Sequence, residues 1–417
     1  MKSQPLPNSL FLSNRSRLAQ LMLPGAVALI SSGKRQLRNG DQSYPFRQRS
    51  DFFYLTGINQ EKSFFLFAPD HPDPDLKEIL FISKPSSKSE LWTGHKPGPE
   101  QVRELSGIRQ VRWLEEQKAY LQLVLGDETL VYSDRESSTD EEARETQYPR
   151  TKPLEPLLQS LRMIKQPEEL EMIKKAVSIT HSAFLRVLDK MQSGLFEYQV
   201  EAEIIGEFVG RGAEGHAFEP IVACGKNALV LHYVENNCLC KEGELLLLDF
   251  GAEVNHYAAD CSRTIPVNGR FTIRQRQLYD AVLRVFRKAR GLMTPGTLMA
   301  DFHQTVGEIW EEEHMALGLY TRAEKESHEG TEPLWKNYFM HGTSHSMGLD
   351  VHDPFDRLKP FEPGMVLTCE PAIYLPDEGV GIRLENDILI TELGPVDLME
   401  HIPIEADEIE HLMNKGS

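Results

Sequence analysis

The 417-residue chain is 40% hydrophobic, 26% charged and 8% aromatic, the proportions of an ordinary globular protein long enough for two cores. Its 63 acidic side chains outweigh 45 basic ones, and the net charge of −18 repels phosphate backbones and anionic lipid, so nucleic acid and membrane surfaces are poor partners. Five cysteines, an odd number without regular spacing, argue against a disulfide framework and for a reducing, cytoplasmic setting.

Along the chain, LMLPGAVALI (21–30) is too short to span a bilayer and is interrupted by Pro24 and Gly25; no anchor or signal peptide is expected. The runs AVALI, FFLFA and EILFI, separated by turn-rich pieces, predict strands of a mixed α/β first domain over residues 1–160. An acidic, serine-containing stretch, SDRESSTDEEARETQ, leads to a second domain over 161–417. There KQPEELEMIKKAVSITHSAFLRVLDKMQSG places Pro167 and two glutamates at a helix start, apolar residues at Leu170, Ile173, Val177, Phe184 and Leu188 along one face, and Gly194 at the close. Further helices are predicted over 197–210, 274–291 and 298–316, with strand-like GELLLLDFGAE and HYAADCSRTIPV between them. Cys238 and Cys240 form a C-x-C without a second pair, which is the wrong pattern for structural zinc.

The second domain repeats itself. Asp249 lies six residues after Gly243 in GELLLLDFGA, and Glu370 six after Gly364 in GMVLTCEPAI. Each acid ends an apolar strand that follows a pair of predicted helices. A second acid follows each, Asp260 eleven residues after Asp249 and Glu385 fifteen after Glu370. Two related halves are therefore expected, each contributing a hairpin with a carboxylate on both arms. A carboxylate at the end of LLLL is strongly unfavourable unless something offsets its charge. Salt bridges to Arg263 and Arg383, or loop positions facing water, are one answer. Four such acids beside a histidine-rich loop, HGTSHSMGLDVHD (341–353), favour a metal centre instead. Four negative charges balance two divalent cations, and carboxylates bridge ions about 3.5 Å apart. One imidazole among oxygen donors is a hard set that suits Mn2+, with Zn2+, Co2+ and Fe2+ as alternatives.

Asp249, Asp260, His345, Glu370 and Glu385 resemble the five ligands of the pita-bread metallopeptidases. LHYVENN (231–237), LDFGAEVNHYAADCSRTIPVNGRFT (248–272), HGTSHSMGLDVHD, EPGMVLTCEPAIY (362–374) and GIRLENDILIT (381–391) are similar to the blocks of the aminopeptidase P family, in its order. YPFRQRSDFFYLTGI (44–58) and LWTG (91–94) carry the similarity into the first domain. The resemblance implies an α+β fold, in which a pita-bread catalytic domain with an internal pseudo-twofold repeat follows a mixed α/β N-terminal domain.

It further implies hydrolysis of the N-terminal X-Pro bond of peptides by a hydroxide bridging two ions. Asp260 and Glu385 would bridge, Asp249 would complete one coordination sphere, and His345 with Glu370 the other. Glu370 is the expected proton shuttle and His232 the oxyanion stabiliser, while His352 bonds substrate beyond the scissile bond. His341 and Tyr374 are expected to line the substrate pocket, and Trp92 to reach a neighbouring subunit's site in a homodimer or homotetramer. Arg383 and Glu385, read as two apart on one strand, should share a face, so Arg383 is expected to pair with a ligand carboxylate near the substrate. Ser346 stands where bacterial relatives carry tryptophan, a departure that bears on pocket shape. A prolidase, restricted to dipeptides, shares the ligands and is the alternative. A non-enzymatic pita-bread binding module would lose ligands that this chain keeps.

Overall fold

The computed structural model describes residues 4–85, 90–92, 94–133 and 150–415. The acidic stretch SDRESSTDEEARETQ lies outside the described residues apart from Ser133. The chain forms two compact units, one from Gln4 to Leu161 and one from Arg162 onward. No helix among the described residues is long and apolar enough to cross a membrane.

The first unit opens with helix α1 (Asn8–Leu21) and is built on a six-stranded sheet. In chain order its strands are β1 (Val27–Ser31), β2 (Phe64–Phe67), β3 (Glu78–Ile82), β4 (Gln110–Trp113), β5 (Val131–Ser133) and β6 (Thr151–Pro153), arranged β4-β3-β2-β1-β5-β6. The β1/β2 and β2/β3 pairs are antiparallel and the other three parallel. Consecutive residues of VALI, FLF and ILFI are buried on both faces of the sheet, which is why these strands read as continuous apolar runs rather than alternating ones.

The second unit begins its helical layer with α2 (Pro167–Lys190). Pro167 takes the first helical position, where no backbone N–H is needed, and Glu169 accepts from Gln166 N at 2.9 Å to close the first turn. Helix α3 (Glu197–Gly210) packs on it; α4 (Ile273–Leu292) and α5 (Met299–Ala316) form the equivalent pair in the second half.

Each helix pair precedes an antiparallel sheet. In the first half β7 (Ile221–Cys224), β8 (Leu245–Phe250) and β9 (Cys261–Pro266) pair in that order, with Asp249 opposite Ser262 and Phe250 opposite Cys261. The second half has β10 (Val366–Cys369), then a hairpin of β11 (Ala372–Leu375) and β12 (Val380–Arg383), then β13 (Asn386–Thr391) and β14 (Gly394–Asp397). Strand β13 lies between β10 and β14, with Cys369 opposite Asn386. A small hairpin, Ala252–Val254 with Tyr257–Ala258, occupies in the first half the place that β11 and β12 occupy in the second. Its shorter arms and tighter turn account for the unequal spacings of the two acid pairs. Each leucine buried in β8 contributes about 1.5–3 kcal/mol, which anchors the strand end that carries Asp249.

The single strand expected to carry both Arg383 and Glu385 does not form. Arg383 closes β12 and Asn386 opens β13, so Glu385 lies in the break and does not share a strand with Arg383. Pairing β10 with β13, rather than with the hairpin that follows it, forces the chain to change sheets at that point.

Candidate metal centre

The ends of the repeated strands meet at a cavity of about 540 Å³. Asp249, Asp260, His345, Glu370 and Glu385 all line it. Atoms of Asp260, His345 and Glu385 able to ligate a metal lie within 4.8 Å of one another. His345 Nε2 is 3.4 Å from Asp260 Oδ2 and 3.6 Å from Glu370 Oε1. Its Nδ1 lies 3.1 Å from the Ser346 carbonyl, an acceptor only, so the proton belongs on Nδ1 and Nε2 turns a lone pair toward the carboxylates.

Neighbouring side chains orient the acids. Ser262 Oγ donates to Glu385 Oε2 at 2.6 Å, and Thr368 Oγ1 donates to Glu370 Oε1 at 3.1 Å. Thr368 Oγ1 also accepts from His345 N at 3.0 Å, so one hydroxyl sets two candidate ligands. Arg383 donates to Asp249 Oδ2 at 2.7 Å, to Ser262 Oγ at 2.8 Å and to Tyr374 Oη at 2.8 Å. Arg263, the other nominated counter-ion, instead donates to the carbonyls of Ser262, Glu385 and Pro403 and to Asn386 Oδ1. It braces the backbone beneath Glu385 and pairs with none of the four acids.

The electrostatics of the acids call for cations. Burial first, and then the charge of neighbouring carboxylates, pushes Asp260 and Glu385 well above the usual carboxylate range. Burial also raises Glu370, against the pull of His345 and Arg383. The buried atoms Asp249 Oδ1 and Asp260 Oδ1 have no hydrogen-bond partner among the described residues. Two unsatisfied buried oxygens within a ring of like charges fit divalent cations bound by oxygen donors and one imidazole.

The remaining predicted residues divide. His232, His341 and His352 line the cavity, and the ring of His352 lies 4.1 Å from that of His345. Burial pushes His341 down to about 3 and His352 to about 4, so both are neutral near pH 7. Tyr374 is buried behind the wall and is not one of the lining residues; its hydroxyl joins His341 Nε2, at 3.0 Å, to Arg383. Ser346 is buried, bridges to Leu367 and does not line the cavity. Its carbonyl also accepts from Asp353 N at 2.8 Å. Trp92 belongs to the first unit, where it is 78% exposed.

Sequence reading did not single out Ser262, Thr368, Phe218 or Arg357. Ser262 and Thr368 each lie two residues from a predicted ligand, the spacing of one strand face, although Asp260 and Glu370 themselves stand just outside the strands Cys261–Pro266 and Val366–Cys369. Phe218 and Arg357 stand in irregular segments and line the cavity; no periodic signal marks them.

Residues 171–392 match metallopeptidase family M24, and residues 11–132 match the aminopeptidase P N-terminal domain. The chain is 34% identical to the Xaa-Pro aminopeptidase of Escherichia coli, covering 97% of both chains. It is 32% identical to human Xaa-Pro aminopeptidase 3 over 94% of this chain and 81% of that one. The structure of Pseudomonas aeruginosa aminopeptidase PepP superposes with a TM-score of 0.92 at 30% identity, covering 99% of both chains. Zinc-substituted Escherichia coli aminopeptidase P in complex with product gives 0.90 at 32% identity, over 99% of this chain and 100% of that one. With repeated strand pairs, converging acids and whole-length similarity all in agreement, the chain belongs to metallopeptidase family M24.

Proposed function

We propose that the protein is a Xaa-Pro aminopeptidase, which releases the first residue from peptides with proline in second place. The observation that carries this reading is the convergence of Asp249, Asp260, His345, Glu370 and Glu385 on one cavity that three further histidines also line. Whole-length similarity to a bacterial Xaa-Pro aminopeptidase supports it. Residues 1–160 are assigned as the N-terminal domain and 161–417 as the catalytic domain.

Asp249, Asp260, His345, Glu370 and Glu385 would hold two cations. The oxygen-rich donor set favours Mn2+. When bound, the cations supply Lewis-acid polarisation of the scissile carbonyl and acidify a water molecule.

The chain's own groups do the rest. The nitrogen of an X-Pro bond carries no hydrogen and must gain a proton to leave. Glu370 is the shuttle, taking a proton from water and handing it to that nitrogen. His232 donates to the oxyanion of the tetrahedral intermediate. His352, neutral at working pH, bonds the substrate beyond the scissile bond. Phe218, Ile221, Leu231 and Val351 supply an apolar wall suited to a prolyl ring. An exposed Trp92 supports contact with a neighbouring subunit in a homodimer or homotetramer, and five free thiols support a cytoplasmic setting.

Product analysis with added Mn2+ on Gly-Pro, Arg-Pro-Pro and a longer X-Pro peptide tests the reading. Release of the first residue from the tripeptide and the longer peptide is expected. Cleavage of Gly-Pro alone would make the protein a prolidase. Equal rates on peptides lacking proline in second place would overturn the specificity.

A further inference from the structure

His232 stands in the segment 230–240, which has no helix and whose one strand-like pairing is a bridge from Leu239 to Phe196. It lines the cavity, yet the residue is exposed and its side chain makes no hydrogen bond to the described residues. A donor aimed at a developing oxyanion must be held to a fraction of an ångström. The restraint on His232 therefore has to come through its neighbours in the chain.

Those neighbours converge on one carboxylate. Glu197, the first residue of α3, is fully buried at 0% exposure. Its Oε1 accepts from Cys224 N at 2.7 Å and Asn227 Nδ2 at 2.9 Å. Its Oε2 accepts from Tyr233 Oη at 2.8 Å and Cys238 N at 2.8 Å. All four donors lie between residues 224 and 238, on both sides of His232, and one is the adjacent residue. Asn227 Nδ2 also donates to Tyr233 Oη at 3.1 Å, which cross-links the two flanks. Glu197 has no cationic partner among the described residues, although a buried carboxylate without one is costly. Its charge is met by two donors from the segment that carries His232, Tyr233 Oη and Cys238 N, and two from the residues just before it, through hydrogen bonds of the stronger, charge-assisted kind.

A second anchor lies between two of these donors in the chain. Asn236, with φ at +45°, accepts from Val222 N at 3.0 Å and donates to the Pro220 carbonyl at 2.8 Å. It ties the segment to the outer edge of β7, one end of which is already held through Cys224 by Glu197.

We infer that Glu197 is a positioning residue for the hydrolytic reaction, its buried carboxylate fixing the loop that presents His232 to the oxyanion. The inference rests on the role proposed above for His232. It assigns Glu197 an action on turnover through His232, with no part in metal binding, since its partners lie on none of the strands that carry the acids.

The test is a double-mutant cycle on the Mn2+-loaded enzyme with Arg-Pro-Pro, comparing Glu197→Gln, His232→Ala and the double variant. Glu197→Gln removes the charge and turns a donor group toward the segment's own donors. Its kcat should fall about 10-fold or more, with KM within about twofold and metal content unchanged. In the His232→Ala background the same substitution should cost nothing further, because the group it positions is gone. Tyr233→Phe, which removes one of the four donors and keeps the carboxylate, should show the same pattern at smaller amplitude, and it carries the test if Glu197→Gln does not fold. Equal proportional losses in both backgrounds, or loss of metal, would overturn the inference by marking a general structural effect. A normal kcat in Glu197→Gln beside an impaired His232→Ala would overturn it while leaving the role of His232 intact. A normal kcat in His232→Ala would instead remove the role on which it rests.

Discussion

Arg383 Nη2 lies 2.7 Å from Asp249 Oδ2, and the same guanidinium grips Ser262 Oγ and Tyr374 Oη. Its planar fork meets three acceptors at once, a geometry that an ammonium on a flexible stem cannot reproduce. Arg383→Lys keeps the charge and loses the fork. Affinity for Mn2+ should drop about 10–100-fold, the usual cost of losing a group that orients a ligand, as measured by calorimetric titration of the metal-free protein. Unchanged affinity would show that Asp249 needs no such orientation.

Without metal, the buried carboxylates of Asp260 and Glu385 oppose one another, on top of the cost of burial. Glu385→Gln removes one charge and leaves a group of nearly the same shape. The metal-free variant should melt at a higher temperature than the metal-free parent, while the increase in melting temperature on adding Mn2+ should shrink or vanish. Differential scanning fluorimetry with chelator and with Mn2+ measures both. A lower melting temperature for the metal-free variant would mean that hydrogen bonding outweighs repulsion.

Gly251 joins β8 to the small hairpin that leads to Asp260. A Cβ there would stand 1.7 Å from the Ala259 carbonyl oxygen, a backbone atom that cannot rotate aside. Gly251→Ala should therefore push the arms of Asp249 and Asp260 apart, destabilising the protein by about 1–3 kcal/mol or more and weakening metal binding with it. Chemical denaturation and metal analysis of the purified variant give the two readouts. A variant as stable as the parent, with full metal content, would contradict the close approach.

His314 on α5 is fully buried, stacked on Trp310 with ring centroids 4.9 Å apart. Burial pushes its pKa down from 6.5 to about 3. The folded protein therefore resists a proton that the unfolded chain accepts. The stability from keeping the ring neutral is complete above pH 6.5 and is lost as pH falls from there toward 3, at about 1.4 kcal/mol per pH unit. His314→Phe should flatten this dependence between pH 7 and 5, measured as melting temperature against pH on metal-free protein. Parallel curves for variant and parent would show that His314 does not contribute.

The amino-acid sequence by itself determined which residues could form the centre. Two strand ends with an acid six residues past a glycine, a second acid beyond each, and helix patterns at 197–210 and 298–316 are local regularities, and local periodicity survives folding. Partner choice is not local. Arg263 and Arg383 looked alike as counter-ions, yet Arg383 reaches Asp249 across 134 positions in the chain while Arg263 braces backbone carbonyls. Arg383 and Glu385 read as one strand until the pairing of β10 with β13 broke the chain between them. Tyr374 and Ser346 lie near ligand positions in sequence but are buried and do not line the cavity. Glu197 carried no mark beyond a helix start, because its meaning lies in four donors brought to it from residues 224–238. Strand register and loop anchoring are set by the packing of distant elements, so only the tertiary structure could decide which side chains face the cavity, which brace those that do, and which stand apart.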